Sequence, residues 1–183
     1  MTVRSAGAPT GDVVSVAELK RHVRVDGDHD DSDLAAYLET AIALVEADTQ
    51  RRLREETLEW VLPAWRPALR FPLAPIGSVA SVTYVDEAGA AQTLAPARYL
   101  LAPDGETHVL RPRGEGWPAL GADAAEPIVI RFVAGPYVNP RIKQAVKFLA
   151  AHLYENREPV NVGNIVTPIP FTVDSLLAAE RWT

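Results

Sequence analysis

Residues 26–53 read DGDHDDSDLAAYLETAIALVEADTQRRL, and the fold turns on how this stretch is read. Leu34, Leu38, Ile42, Val45 and Leu53, with Tyr37 and Ala41, recur at the 3.6-residue period of one helix face. The acidic approach (Asp28, Asp30, Asp31, Asp33) suits the positive end of a helix macrodipole. Arg51, Arg52 and Arg54 are expected to sit at the opposite, negative end. A helix of this length with an apolar stripe needs partners from the chain on either side of it.

Upstream, SVAELKRHVRV places Ser15 three residues before Glu18. That spacing is a capping box, in which the hydroxyl accepts the Glu18 backbone N–H and the carboxylate accepts that of Ser15. Val16, Leu19 and Val23 share the apolar face of this helix, which is expected to end near Val25. Residues 1–13 are small, polar or Pro/Gly-rich and are expected to form a flexible arm. Downstream of Glu56 the character changes. Prolines recur, and TLEWVLPAW, ALRFPL, SVASVTYVDEAG, TLAPARYLL, HVLRP and PIVIRFVAG read as strands, with DEAG and PDGE as hairpin tips. The alternation from Ile128 to Val133 is blurred, which predicts a strand partly covered on both faces.

NPRIKQAVKFLAAHLYENRE then returns to helical spacing. Asn139 is the expected cap, Pro140 fits the first turn, and Ile142, Ala145, Val146, Leu149 and Leu153 form the stripe. Pro159 should stop it. The last part, VNVGNIVTPIPFTVDSLLAAERWT, reads as an extended apolar tail with a short helix-like end. The expected fold is α+β: a small helical bundle of two N-terminal helices and one C-terminal helix, a β-rich insertion, and an extended C-terminal tail. The expected parts are an arm (1–13), helical core (14–56), β insertion (57–135), helical core (136–158) and tail (159–183).

Composition narrows the function. Of 183 residues, 48% are hydrophobic and 23% charged, which is ordinary for a globular chain with a real core. Cysteine is absent, so disulfides, thiolate metal sites and thiol catalysis are excluded, and a reducing cytoplasm is the expected place of folding. The N-terminus lacks the apolar region of a secretory signal, and no apolar run matches a membrane span. A net charge of −6 argues against a protein that grips nucleic acid by neutralising phosphates.

Candidate chemistry is thin. DGDHDD resembles a calcium loop, but Asp31 stands where an EF-hand needs Gly and Tyr37 where it needs Glu, so helix capping is the better explanation. His152 and Glu155 lie one turn apart and could put two metal ligands on one helix face, yet no motif supplies the others. No G-x-S-x-G, GxxxxGK[ST] or GxGxxG is present. No catalytic residue, metal site or cofactor is expected. A metal-dependent hydrolase using His152 and Glu155 is the rival reading from another class.

The order VAELKRHVRVD, LAAYLETAIALVEADTQRRL, PLAPIGSVASVTYVDEAG, RYLL, WPAL, IVIRFVAG and IKQAVKFLAAHLYENREPV resembles the head–tail connector (adaptor) proteins of long-tailed phages, prophages and phage-like gene transfer agents. The likeness spans residues 14 to 160. It implies a structural protein that forms a ring, usually dodecameric, under the portal of a DNA-filled capsid. Such a ring joins capsid to tail and continues the DNA channel. Implied partners are the portal, neighbouring copies, and the next stopper or tail protein, with DNA passing through without specific binding and no membrane involved. The implied location is the bacterial cytoplasm during assembly, then the neck of the particle. A tail-completion or stopper protein of the same neck is the nearer alternative.

Beyond Val160 the chain departs from many members of that family. Val162, Ile165, Val166, Ile169, Phe171, Leu176, Leu177 and Trp182 make this end too apolar for a solvated tail. They are expected to form the interface with the portal or an adjacent subunit; the alternative is that the segment folds back on its own helices.

Overall fold

The computed structural model describes residues 2–122, 124–156 and 171–182, with only the backbone described at Phe171. It is α+β throughout, with helices and antiparallel sheets in two compact units. One unit is Met1–Gly11 with Arg54–Pro136; the other is Asp12–Leu53 with Tyr137–Thr183. The units are built from interleaved segments of chain, and each has a core of its own.

The β unit holds a five-stranded sheet and a three-stranded sheet. In chain order its strands are β1 (Thr2–Ser5), β2 (Glu56–Leu62), β3 (Leu69–Arg70), β4 (Ile76–Val85), β5 (Ala91–Thr93), β6 (Tyr99–Asp104), β7 (Thr107–Pro112) and β8 (Ile128–Ala134). The larger sheet runs β1-β2-β8-β4-β5 and the smaller β3-β7-β6, with every pairing antiparallel. Period-2 alternation explains the burial. Leu58, Trp60 and Leu62 of β2 point inward beside Ile128, Ile130, Phe132 and Ala134 of β8, while Glu59 and Arg131 face out. Val129 and Val133 are half-buried, so β8 is indeed covered to some degree on both faces. Phe71 sits between Trp60 and Phe132, with ring centroids 5.2 and 5.0 Å away. The Phe71–Phe132 pair is edge-to-face, which adds attraction beyond burial alone.

Both expected hairpin tips are turns. In the first, the Asp86 carboxylate accepts the backbone N–H groups of Ala88 and Ala90 and closes the β4–β5 loop. In the second, Gly105 takes φ 64° between β6 and β7, where a side chain would be strained.

The N-terminal residues differ from the flexible arm read in the sequence. Thr2–Ser5 pair with β2 as an edge strand, and Ala6 and Thr10 continue the contact through backbone hydrogen bonds to Thr57 and Glu55. Val3 packs on the β core, and Arg4 binds Glu59 and Glu126 on the outer face. A four-residue strand carries too little alternation to be recognised from its own sequence.

The helical unit contains α1 (Val16–Val23), α2 (Asp31–Thr49), α3 (Pro140–Glu155) and α4 (Phe171–Leu177). The Ser15–Glu18 capping box is formed as read, and α1 closes at Arg24 in the left-handed conformation, φ 57°. Leu34, Leu38, Ala41, Ile42 and Val45 of α2 meet Ile142, Ala145, Val146 and Leu149 of α3 in the core, with Leu19 from α1. Asn139 caps α3 by accepting from the N–H groups of Arg141 and Ile142. Among the described residues no helix is long and apolar enough to cross a membrane.

Candidate functional site

The most elaborate polar arrangement in the helical unit surrounds residues 180–182, just after α4. Glu180 is 5% exposed. Its Oε2 accepts from the Tyr137 hydroxyl at 2.7 Å and the Asn139 amide at 2.8 Å, and its Oε1 faces Arg141 at 3.4 Å. Burial pushes this carboxyl up, but the three donors outweigh it and hold it below the usual carboxylate range. The Glu180 backbone carbonyl also accepts from Arg51 Nε at 2.7 Å, and the Arg51 guanidinium lies 4.1 Å from the Tyr137 ring centroid. Arg181 bridges Asp48 and Asp174, and the Trp182 N–H donates to the Thr49 carbonyl. The chain end is thus clasped to the end of α2 and the start of α3.

Arg51 therefore departs from its expected role. The helix stops at Thr49, Gln50 turns the chain with φ 56°, and no basic residue lies in the last turn of α2. Arg51 is only 3% exposed and is used as a buried donor and cation–π partner. Arg52 pairs with Glu46 instead of the helix end.

Val162, Ile165, Val166 and Ile169 lie outside the described residues, and Phe171 opens α4 with its side chain undescribed. Leu176 packs against the helical core, and Leu177 is inside it at 4% exposure, beside Val173. Trp182 is half-buried and joins the clasp through its backbone. Residues 171–182 thus take the fold-back course on their own helices. Sequence reasoning singled out neither Glu180 nor Tyr137, and it read Asn139 only as a helix cap and Arg51 only as a helix-end cation. A glutamate three residues after Leu177, the last residue of an apolar helix, gives no hint that its partners lie about forty and more than a hundred residues earlier.

The pair that suggested metal chemistry is plain surface. His152 and Glu155 are both exposed, and Asn156 contacts the His152 ring and carbonyl. The acidic run before α2 is engaged by Lys20, whose ammonium lies 2.9 Å from Asp28 and 2.7 Å from Asp31. Among the described residues no three His, Asp or Glu groups gather as a metal site.

One further surface stands out. The face of α2 opposite its core carries Ala36, Thr40, Ala43 and Ala47, all exposed, beside Leu44 at 45% exposure. This helix bears Asp31, Asp33, Glu39, Glu46 and Asp48 and no lysine or arginine.

No family model matches the chain, and no curated protein matches it. Solved structures do. The chain is similar to a chain in the neck of an empty gene transfer agent particle computed with sixfold symmetry, at 28% identity and a TM-score of 0.82. It is similar to one in the virion of a native gene transfer agent particle, at 29% and 0.80. It is also similar to one in the neck of a native particle computed with twelvefold symmetry, at 28% and 0.79. Each likeness covers 100% of this chain and 96% of the other. The resemblance to the neck and head–tail connector proteins of phages and gene transfer agents, read from ordered sequence blocks, is thus supported over the whole chain.

Proposed function

We propose that this protein is a head–tail connector: a structural neck component that forms a ring beneath the portal of a tailed phage or phage-like particle, joins capsid to tail and continues the DNA channel. The observation that carries this reading is whole-length similarity to chains of gene transfer agent particles, two of them described as neck, at TM-scores near 0.8 with 28–29% identity. The sixfold and twelvefold symmetry of those necks supports a ring of copies, with twelve as the expected number. The proposed partners are the portal above, identical copies at either side, and the next neck or tail protein below. An overall charge of −6 suits a channel wall, because like charge gives DNA no counterion-release attraction.

The apolar C-terminal end is the proposed portal or neighbour contact. Val162, Ile165, Val166, Ile169, Phe171 and Trp182 remain the proposed contact residues, while Leu177 lies in its own core with Leu176 packed beside it.

Deleting the gene in a producing strain tests the reading. DNA-filled heads and separate tails are expected in place of joined particles, and re-expression should restore joining. Joined, infectious or transducing particles without the protein overturn the proposal. Heads that join tails but leak DNA would instead indicate a stopper one layer down.

A further inference from the structure

We propose that the outward face of α2 on one copy seats against the outward face of α1 on the next copy around the ring. This rests on the ring reading above and names the contact that would build it. A closed ring of identical subunits needs a head-to-tail contact, in which two different surfaces of one chain are complementary. The helical unit offers such a pair. The α2 surface is apolar at its centre, with Leu44 and Ala43, and its own charges are all acidic, Asp33 and Glu39 flanking the patch. The α1 surface is the reverse. Ala17, Arg21 and Arg24 are exposed along one face, and Lys143 of α3 stands close enough to Glu18 to act with Arg21 on its carboxyl.

Shape agrees with charge. Ala17, Lys20, Arg21, Arg24, Val25, Asp26 and Gly27 line a shallow depression at the end of α1. Lys20 is already engaged by Asp28 and Asp31, and Asp26 also lines the depression, so Arg21 and Arg24 are the cations left to face the carboxylates that border Leu44, with Ala17 and Val25 as its apolar part. The pairing buries Leu44 and sets cations opposite anions at the rim, where they fix register and exclude the α2-to-α2 arrangement that like charge disfavours.

Absence of cysteine makes the test direct, since the only thiols on this chain are the introduced ones, and links between copies are recognised by multiples of one subunit mass. A tagged chain carrying both Ala17→Cys and Leu44→Cys is incorporated into particles, treated with a short bis-maleimide, and blotted. A ladder at multiples of the tagged subunit's mass is expected, with each single variant remaining monomeric. Dimers from Leu44→Cys alone mean that like faces meet and overturn the proposal. So does a ring seen by electron microscopy that yields no ladder. Particles that lack the tagged chain, with either wild-type or variant protein supplied, overturn the neck reading itself.

Discussion

Glu180 shows how much one side chain can organise. Replacing it with Ala removes the acceptor that the part-buried Tyr137 hydroxyl and Asn139 amide share. The expected cost is about 1–3 kcal/mol, read by denaturant unfolding of the full chain. Glu180→Gln keeps an acceptor but loses the charge, so it should fall between the two. The pH sign follows from a carboxyl held below its ordinary value of 4.5. Its contribution is complete above that value and is lost as pH falls through the lower folded value. Wild type should therefore lose stability on acidification more steeply than Glu180→Gln, as thermal melts between neutral and acidic pH would show. Arg51→Lys is not conservative here, because an ammonium cannot reproduce both the stacking on Tyr137 and the aimed Nε–H. None of this was legible beforehand. Arg51 looked like a helix-end cation because its sequence neighbours are arginines, and only the turn at Gln50 redirects it.

Among elements, α2 was the most legible and also the least completely read. Its inner stripe at Leu34, Leu38, Ile42 and Val45 is buried as the period required. Its outer stripe of Ala36, Ala43, Leu44 and Ala47 is apolar as well, so polarity does not mark which side faces solvent. Ala43→Arg should leave the melting temperature of the unassembled chain nearly unchanged, because the site is exposed, yet reduce ring formation measured by native mass spectrometry or electron microscopy. Gln50→Gly tests the end of the helix. Removing a side chain from φ 56° should relieve about 1 kcal/mol, less what is lost with the Gln50 Nε2 bond to the Ala47 carbonyl. A lower melting temperature would mean that the bond outweighs the strain. Caps were readable because their partners lie within three residues: Ser15 with Glu18, Asn139 with Ile142. The edge strand β1 was not, because its hydrogen bonds run to residues 58–61.

At the scale of the whole molecule, two cores are assembled from alternating stretches of chain. Truncation at residue 170 removes Val173 and Leu177 from the helical core together with the Glu180 clasp. Burial of each such side chain contributes about 1.5–3 kcal/mol, so the truncated protein should melt at a clearly lower temperature by calorimetry. A truncation that fails to join heads to tails is therefore ambiguous by itself. Replacing Val162, Ile165, Val166 and Ile169 with Ser while keeping α4 is the cleaner probe of portal contact, with weakened portal binding as the expected result. Retained portal binding in that variant would remove the tail from the interface.

Sequence alone determined what depends on short range and on order. Periodicity set the three main helices, local polar spacing set their caps, turn residues set the hairpins, and the succession of blocks pointed to a neck protein. Those signals are carried by residues a few positions apart, or by the order of segments, and both are present before folding. Tertiary structure decided everything that required distant residues to meet. It made Thr2–Ser5 an edge strand, drew Arg51 and Tyr137 around Glu180, and placed Leu177 in a core instead of on a surface. The physical reason is that a side chain's role is fixed by what surrounds it. For these residues the surroundings come from parts of the chain that no local pattern connects.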